Sequence, residues 1–236
     1  MILLRPYKDL GFADHGWLEA RHYFSFAGYY DPERMNWDAV RVWNDDRIAP
    51  NNGFGMHPHR NMEIVTYIRE GALTHEDSLG NKGRIVAGDV QVMSAGTGIT
   101  HSEYNSESSD TRLFQIWIMP NQSGHKPAWG SRSFPKKDHA GQFVVLASRY
   151  GEDDEALPIH VDAAVLGAWF NKGDTVDYPL NSQRYGYLVV AKGSIEIENI
   201  ILREGDGGAI SKTDILSIKA IEDSEVVLVV TGKKNS

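Results

Sequence analysis

In the segment GFGMHPHRNME (53–63), His57 and His59 stand one residue apart, and a carboxylate, Glu63, follows four residues after the second. Paired imidazoles are good donors for a borderline divalent ion. One such pair alone is weak evidence, so a metal site needs a second half. A candidate half is AGTGITHSEYN (95–105), where His101 and Glu103 again stand one residue apart, just after a Gly-Thr-Gly turn. In an extended strand, residues i and i+2 share a face. Pro58 disfavours the helical region for His57 and cannot donate to a ladder, so its segment reads as an edge strand or an irregular strand end. Two such pairs on facing strands of a barrel would gather three imidazoles and one carboxylate around a point. Three nitrogens and an oxygen suit zinc, iron(II), nickel, copper, manganese or cobalt, and the donor types do not choose among these. Glu63 has the same strand parity as His57 and His59. It could reach the same ion, or instead make a hydrogen bond or a salt bridge at the barrel rim.

Strands must position these residues, and the chain is rich in them. MEIVTYIRE, RIVAGDVQVMS, RLFQIWIMP, QFVVLAS, YGYLVVAKG and EVVLVVTG carry the β-branched and aromatic residues that pleated sheets favour. DSLGNKG and REGDGG read as turns between such runs, and helical periodicity is weak throughout. A faint repeat sets TYIREGALTHED (66–77) against LVVAKGSIEIEN (188–199), with Gly71 matching Gly193. It also sets AGDVQVMSAG (87–96) against EGDGGAISKT (204–213), with Gly88 matching Gly205. The expected fold is therefore all-β, two similar β-barrel domains in one chain, over residues 1–130 and 131–236. The Pro-, Gly-, Ser- and Lys-containing stretch Met119 to Asp138 is the expected connection.

Composition narrows the function classes. At 236 residues, 41% hydrophobic and 24% charged, the chain is long enough for one or two globular cores. No cysteine is present, which excludes disulfides, thiolate metal sites and cysteine nucleophiles. The net charge is −8 and the basic residues are scattered, with one short cluster at Lys233-Lys234, so neither nucleic acid nor an anionic membrane is an expected direct partner. The sequence has no apolar run of membrane-spanning length and no signal-peptide pattern, so a cytoplasmic location is expected.

HPHRNMEIVTYIREGALTHEDSLGN and GDVQVMSAGTGITHSEYN resemble the core of the pirin family, and DHGWLEARHYFSFAGYYDP (14–32) resembles that family's N-terminal strand region. The resemblance is strongest over about residues 10–120. It implies a bicupin of two jelly-roll β-barrel domains, with one metal in the first. The chain departs from the general cupin pattern in its second motif. Ser94 stands where proline is usual, and the histidine arrives two residues late, at 101, still followed by Asn105. Carried over from pirin-like proteins, the ligands are His57, His59, His101 and Glu103, and Glu63 is left outside. The repeat offsets place Pro179, Asn181, Ile218 and Ala220 at the corresponding positions of the second half, so that half is expected to bind no metal.

Some bacterial members of the family resemble quercetin 2,3-dioxygenases. That resemblance implies a small aromatic substrate such as a flavonol, ring opening by dioxygen with loss of carbon monoxide, and Glu103 as the catalytic base. Tyr67, Phe24, Trp43 and Trp117 are candidate aromatic walls. The resemblance leaves a second class open, a non-enzymatic metal-binding regulator with a protein partner, and a cupin isomerase or hydrolase would share the site. Of the other histidines, His75 reads as a hydrogen-bonding residue near the site. His15 and His22, seven apart, share no strand face, and His125, His139 and His160 read as surface residues. The acidic run YGEDDEALP (150–158) lacks the alternating ligands and central glycine of a calcium loop and reads as a solvated loop.

Overall fold

The computed structural model describes residues 1–134, 139–149 and 155–232. In chain order its strands are β1 (Ile2–Arg5), β2 (Gly11–Asp14), β3 (Leu18–His22), β4 (Val40–Ile48), β5 (Asn52–His59), β6 (Glu63–Glu70), β7 (Ala72–Asp77), β8 (Lys82–Val86), β9 (Asp89–Ser94), β10 (Ile99–Asn105) and β11 (Thr111–Ile118). They continue as β12 (Ala128–Ser133), β13 (Phe143–Arg149), β14 (Leu157–Ile159), β15 (Ala163–Phe170), β16 (Thr175–Pro179), β17 (Tyr185–Lys192), β18 (Ser194–Ile197), β19 (Ile200–Arg203), β20 (Gly207–Ser211), β21 (Ile215–Ala220) and β22 (Ser224–Thr231). Among the described residues the only helical element is a short 3-10 turn at Tyr7–Asp9, and no helix is long and apolar enough to cross a membrane.

The chain makes one design twice. In the first half a seven-stranded sheet, β12-β9-β6-β11-β4-β3-β2, packs on a four-stranded sheet, β5-β10-β7-β8. In the second half β1-β20-β17-β22-β15-β13-β14 packs on β16-β21-β18-β19. The glycine repeat matches this duplication. Gly71 and Gly193 each take φ near +75° to +80° at the β6–β7 and β17–β18 corners. A Cβ would lie 2.8 Å from the Asp110 carbonyl oxygen at the first and 2.3 Å from that of Asp223 at the second, so only glycine fits both corners.

Two strands cross between the halves. β1 pairs antiparallel with β20, far along the chain, and β12 pairs with β9. β12 lies inside the stretch expected to be a plain connector, and the division expected at 130/131 falls within it. The acidic run at 150–158 lies mostly outside the described residues, as do Lys233 and Lys234, and its last part enters β14.

The two seven-stranded sheets pack back to back. Trp43, Val65, Tyr67, Phe114 and Ile116 of the first meet Tyr187, Val189, Val227 and Val229 of the second in one continuous core. β4 is therefore buried on both faces. Its odd residues, Trp43 and Asp45, face the second half, and its even residues, Asn44 and Asp46, face the interior of the first barrel. Polar groups join the halves at this seam. Tyr67 donates to Glu225 across it. Arg69 on β6, with a side chain only 5% exposed, donates to both oxygens of Asp45 at 2.9 and 2.7 Å, to the Ala191 carbonyl at 2.5 Å and to Glu204 at 2.8 Å. Burying a charge is tolerable when it is this well paired. Arg69→Met is expected to cost about 3–5 kcal/mol, because Asp45 is left buried and uncompensated. Adding Asp45→Leu is expected to recover most of the loss, and urea unfolding of the two variants beside wild type checks both.

Candidate metal centre

The pairing of β5 with β10 builds the centre. In an antiparallel ladder, residues directly opposite share a face. His57 lies opposite His101, and His59 lies opposite Ile99, two residues from His101. The ring centroids lie 4.4 Å apart for His57–His101, 4.8 Å for His57–His59 and 4.9 Å for His59–His101. Beyond His101 the register slips, with an extra residue on β5, so that Glu103 faces Phe54. Gly53 makes the close approach of the two strands possible, since a Cβ there would lie 2.3 Å from the Glu103 carbonyl oxygen and 2.6 Å from the Tyr104 Cα. Within the bulged stretch, the Gly55 carbonyl accepts from His57 Nδ1 at 2.7 Å. A carbonyl can only accept, so Nδ1 carries the proton and Nε2 offers its lone pair to the cluster.

β10 also pairs with β7, with His75 opposite Glu103 and Asp77 opposite His101. His75 thus reaches the same interior. It bonds Asp77 through Nε2 at 3.2 Å, stacks on Trp129 at 5.0 Å and lies 5.4 Å from the His101 ring. The hydrogen-bonding role expected for it is met, at closer range to the centre than its position past the Gly71 turn suggested. The donor atoms of His57, His59 and His101 lie within 4.8 Å of one another, and those of His75, His101 and Glu103 form a second group of the same tightness. His101 belongs to both groups. It is 1% exposed, and neither of its ring nitrogens has a hydrogen-bond partner among the described residues. A buried donor–acceptor left this way is costly unless something occupies the space beside it. A divalent ion among neutral imidazoles fits that requirement.

The protonation tendencies agree. Burial, and then His57, His59 and His75, push His101 down to about 3. Burial and His57 push His59 down to about 4. Both imidazoles are therefore neutral near pH 7, the form that binds metals.

Glu103 is held by a two-sided relay. Its Oε1 accepts from Gln91 Nε2 at 2.6 Å and Thr66 Oγ1 at 3.2 Å, and its Oε2 accepts from Gln115 Nε2 at 2.7 Å. The glutamines cannot flip freely, because Trp129 Nε1 donates to Gln91 Oε1 at 3.0 Å and Trp117 Nε1 donates to Gln115 Oε1 at 3.3 Å. An indole N–H only donates, so each tryptophan turns a glutamine amide group toward the carboxylate. Oε1 is saturated by two donors, and Oε2 keeps a lone pair for a cation or a proton. Burial pushes Glu103 up to about 7, against the three donors, which favour its anion.

A cavity of about 640 Å³ opens onto His57, His59 and Glu103. Phe12, Phe26, Tyr29, Phe54 and Trp117 supply its aromatic walls. Of the four aromatics singled out in the sequence, only Trp117 lines it. Phe24, Trp43 and Tyr67 instead fill the core between the two large sheets, where Tyr67 points away from the cavity to Glu225. His15 and His22, expected to share no face, both line the cavity, His15 from the turn between β2 and β3 and His22 from the end of β3, opposite Asn44.

Glu63 stays away from the three histidines. It is 1% exposed, accepts from Ser94 Oγ at 2.5 Å and lies 3.6 Å from His160 Nδ1. His160 in turn stacks on His125 at 4.1 Å. The reading of His125 and His160 as surface residues is corrected. Both are half-buried, held by backbone bonds from Thr97 to the His125 carbonyl and from Asn121 to the His160 carbonyl. His139 is exposed. At the corresponding positions of the second half, Ile218 and Ala220 are buried in an apolar core with Val176 packed against it.

Residues 4–118 match the Pirin family model, and residues 145–229 match the model of the quercetinase C-terminal cupin domain. A Zymomonas mobilis protein provisionally named a quercetin 2,3-dioxygenase is 78% identical, covering 99% of this chain and 100% of its own. A pirin-like protein of Caulobacter vibrioides is 58% identical over 97% of this chain and 99% of its own. A crystal structure of a bacterial pirin from Escherichia coli in complex with nickel(II) superposes with a TM-score of 0.93, at 41% identity, over 98% of this chain and 99% of that one.

The relay makes a measurable claim about Glu103. Its donors stabilise the anion, so removing one must raise the carboxyl's proton affinity. Gln91→Leu is expected to keep Glu103 protonated to higher pH, by roughly tenfold or more in proton affinity, since a hydrogen bond to a charged group contributes about 1.5–3 kcal/mol. Trp129→Phe, which frees the Gln91 amide to turn, is expected to shift it the same way by less. Isotope-edited infrared titration of the carboxyl band in metal-free protein reads both.

Proposed function

This chain belongs to the pirin family of bicupins, and on that footing we propose that it is a metal-dependent dioxygenase of the quercetin 2,3-dioxygenase type. In this reading it opens the central ring of a flavonol with dioxygen, at a centre held by His57, His59, His101 and Glu103. The observation that carries the reading is the convergence of His57, His59 and His101, with the buried Glu103 grouped beside His101, next to an aromatic-walled cavity. The two E. coli proteins named quercetin 2,3-dioxygenase, each 43% identical over 97% of this chain, support the reaction class. The nickel complex of the related bacterial pirin supports a divalent ion as the resident group.

A divalent transition ion bound there would supply Lewis-acid activation of the substrate's oxygens and of dioxygen. The protein's own residues do the rest. His57, His59 and His101 present lone pairs from two adjacent strands. Glu103 Oε2, the oxygen with an uncommitted lone pair, takes the flavonol 3-hydroxyl proton when that lone pair is not engaged in holding the ion. Two forces act on that base. Burial strengthens it, and a cation alongside weakens it. The Gln91, Thr66 and Gln115 bonds keep it in place while the proton moves. Phe26, Phe54 and Trp117 flank a planar ligand and exclude water from it.

The same ligands could serve a regulatory metal with no chemistry. A sensing ion has no need of an aromatic cavity of this size beside it, and that cavity favours the enzyme.

Aerobic incubation of the iron-, copper-, nickel- or cobalt-loaded protein with quercetin is expected to bleach the flavonol absorbance above free-metal controls. His101→Ala is expected to abolish both metal retention and activity. Glu103→Gln, which keeps the three imidazoles, is expected to lower kcat by about 10²–10⁴. Bleaching no faster than the controls with every metal would overturn the proposal.

A further inference from the structure

Asp46 lies on the cavity-facing side of β4, among apolar neighbours. Its strand partners are Ala20 and Leu113, both members of the apolar cluster of the first barrel. It is 2% exposed, and its Oδ1 is buried with no hydrogen-bond partner among the described residues. The nearby guanidinium groups are committed elsewhere, Arg69 to Asp45 and Arg47 to Glu19 and Asp110. An unpartnered buried polar group costs about 1–3 kcal/mol and is kept where a ligand satisfies it. Asp46 lines the same cavity as His57, His59 and Glu103.

We propose that Asp46 is a substrate-positioning residue, whose carboxyl hydrogen-bonds a hydroxyl carried by the aromatic substrate away from the oxygens that meet the metal. The inference rests on the reading of the cavity as a flavonol-type site and names the substrate class more narrowly: an aromatic with at least one further hydroxyl. A hydroxyl can donate to a carboxylate, and it can also bond a carboxylic acid in either direction, so the contact forms in both protonation states. Burial, then the charges of Asp45 and Glu103, push the proton affinity of Asp46 far above the usual carboxylate range.

The test is anaerobic titration of nickel-loaded protein with three flavonols that share the metal-binding oxygens. These are 3-hydroxyflavone, with no further hydroxyl; galangin, with two on the fused ring; and quercetin, with two more on the pendant ring. Wild type is expected to gain about tenfold in affinity at one step of this ladder. Asp46→Leu is expected to lose that step and to bind 3-hydroxyflavone as tightly as wild type. Asp46→Ala, which cannot overfill the cavity, carries the same expectation if the leucine variant does not fold. A step that survives both substitutions, an equal weakening of all three ligands, or a wild type with no step overturns the proposal. The two readings separate cleanly. An Asp46-dependent ladder without aerobic turnover sinks the dioxygenase and leaves this site standing. Turnover by a wild type that shows no ladder does the reverse.

Discussion

The cross-strand register of β5 and β10 governs the whole first half. Side chains alternate faces along a strand, so slipping this pairing by one residue would send His101 to the opposite face from His57 and His59. The register is fixed by the close approach at Gly53, where no other residue fits, and by the bulge that follows it toward His57. The neighbouring pairing of β10 with β7 adds His75 and Asp77. Around this three-stranded patch the remaining strands supply a scaffold. The four-stranded sheet presents the imidazoles, and the seven-stranded sheet opposite presents Thr66, Gln91 and Gln115 to Glu103.

The surroundings of Glu103 set a balance. A carboxylate in a dry interior prefers its proton, and three donors aimed at it favour losing that proton. The donors are in turn fixed by Trp129 and Trp117. Each indole also touches a histidine of the centre: Trp129 stacks on His75, and Trp117 meets His59 edge-on at 4.9 Å. Two tryptophans thus couple the placement of the imidazoles to the orientation of the amides. Truncating either would disturb both.

Much of this was legible in the sequence, for a physical reason. The period-2 rule binds residues close in the chain, so His57 with His59 and His101 with Glu103 could be read as pairs, and the turn glycines marked two copies of one design. What the sequence hid depends on pairing between distant strands. His75 reaches the centre because β7 lies beside β10, and His22 reaches the cavity because β3 lies beside β4. The same limit explains Trp43 and Tyr67. Both sit on strands that line the barrel, but on the face turned to the second half, and parity alone cannot say which face is the interior when a sheet is buried on both sides. Asp46 gave no motif at all. Its signal is a carboxyl facing inward among apolar neighbours, which is visible only once β4 has been given two buried faces.

The exchange of β1 and β12 has a consequence for how the protein is made. β1 is synthesised long before its partner β20, far along the chain. Until then its unpaired edge has no home, whereas the β12 edge can close on β9 soon after it leaves the ribosome. The first barrel can therefore complete its large sheet during translation, and its partner barrel must wait for β20 to emerge and pair with β1. Sequence separation of this order slows folding, and late-closing edges of this kind are where a chaperone would find its grip.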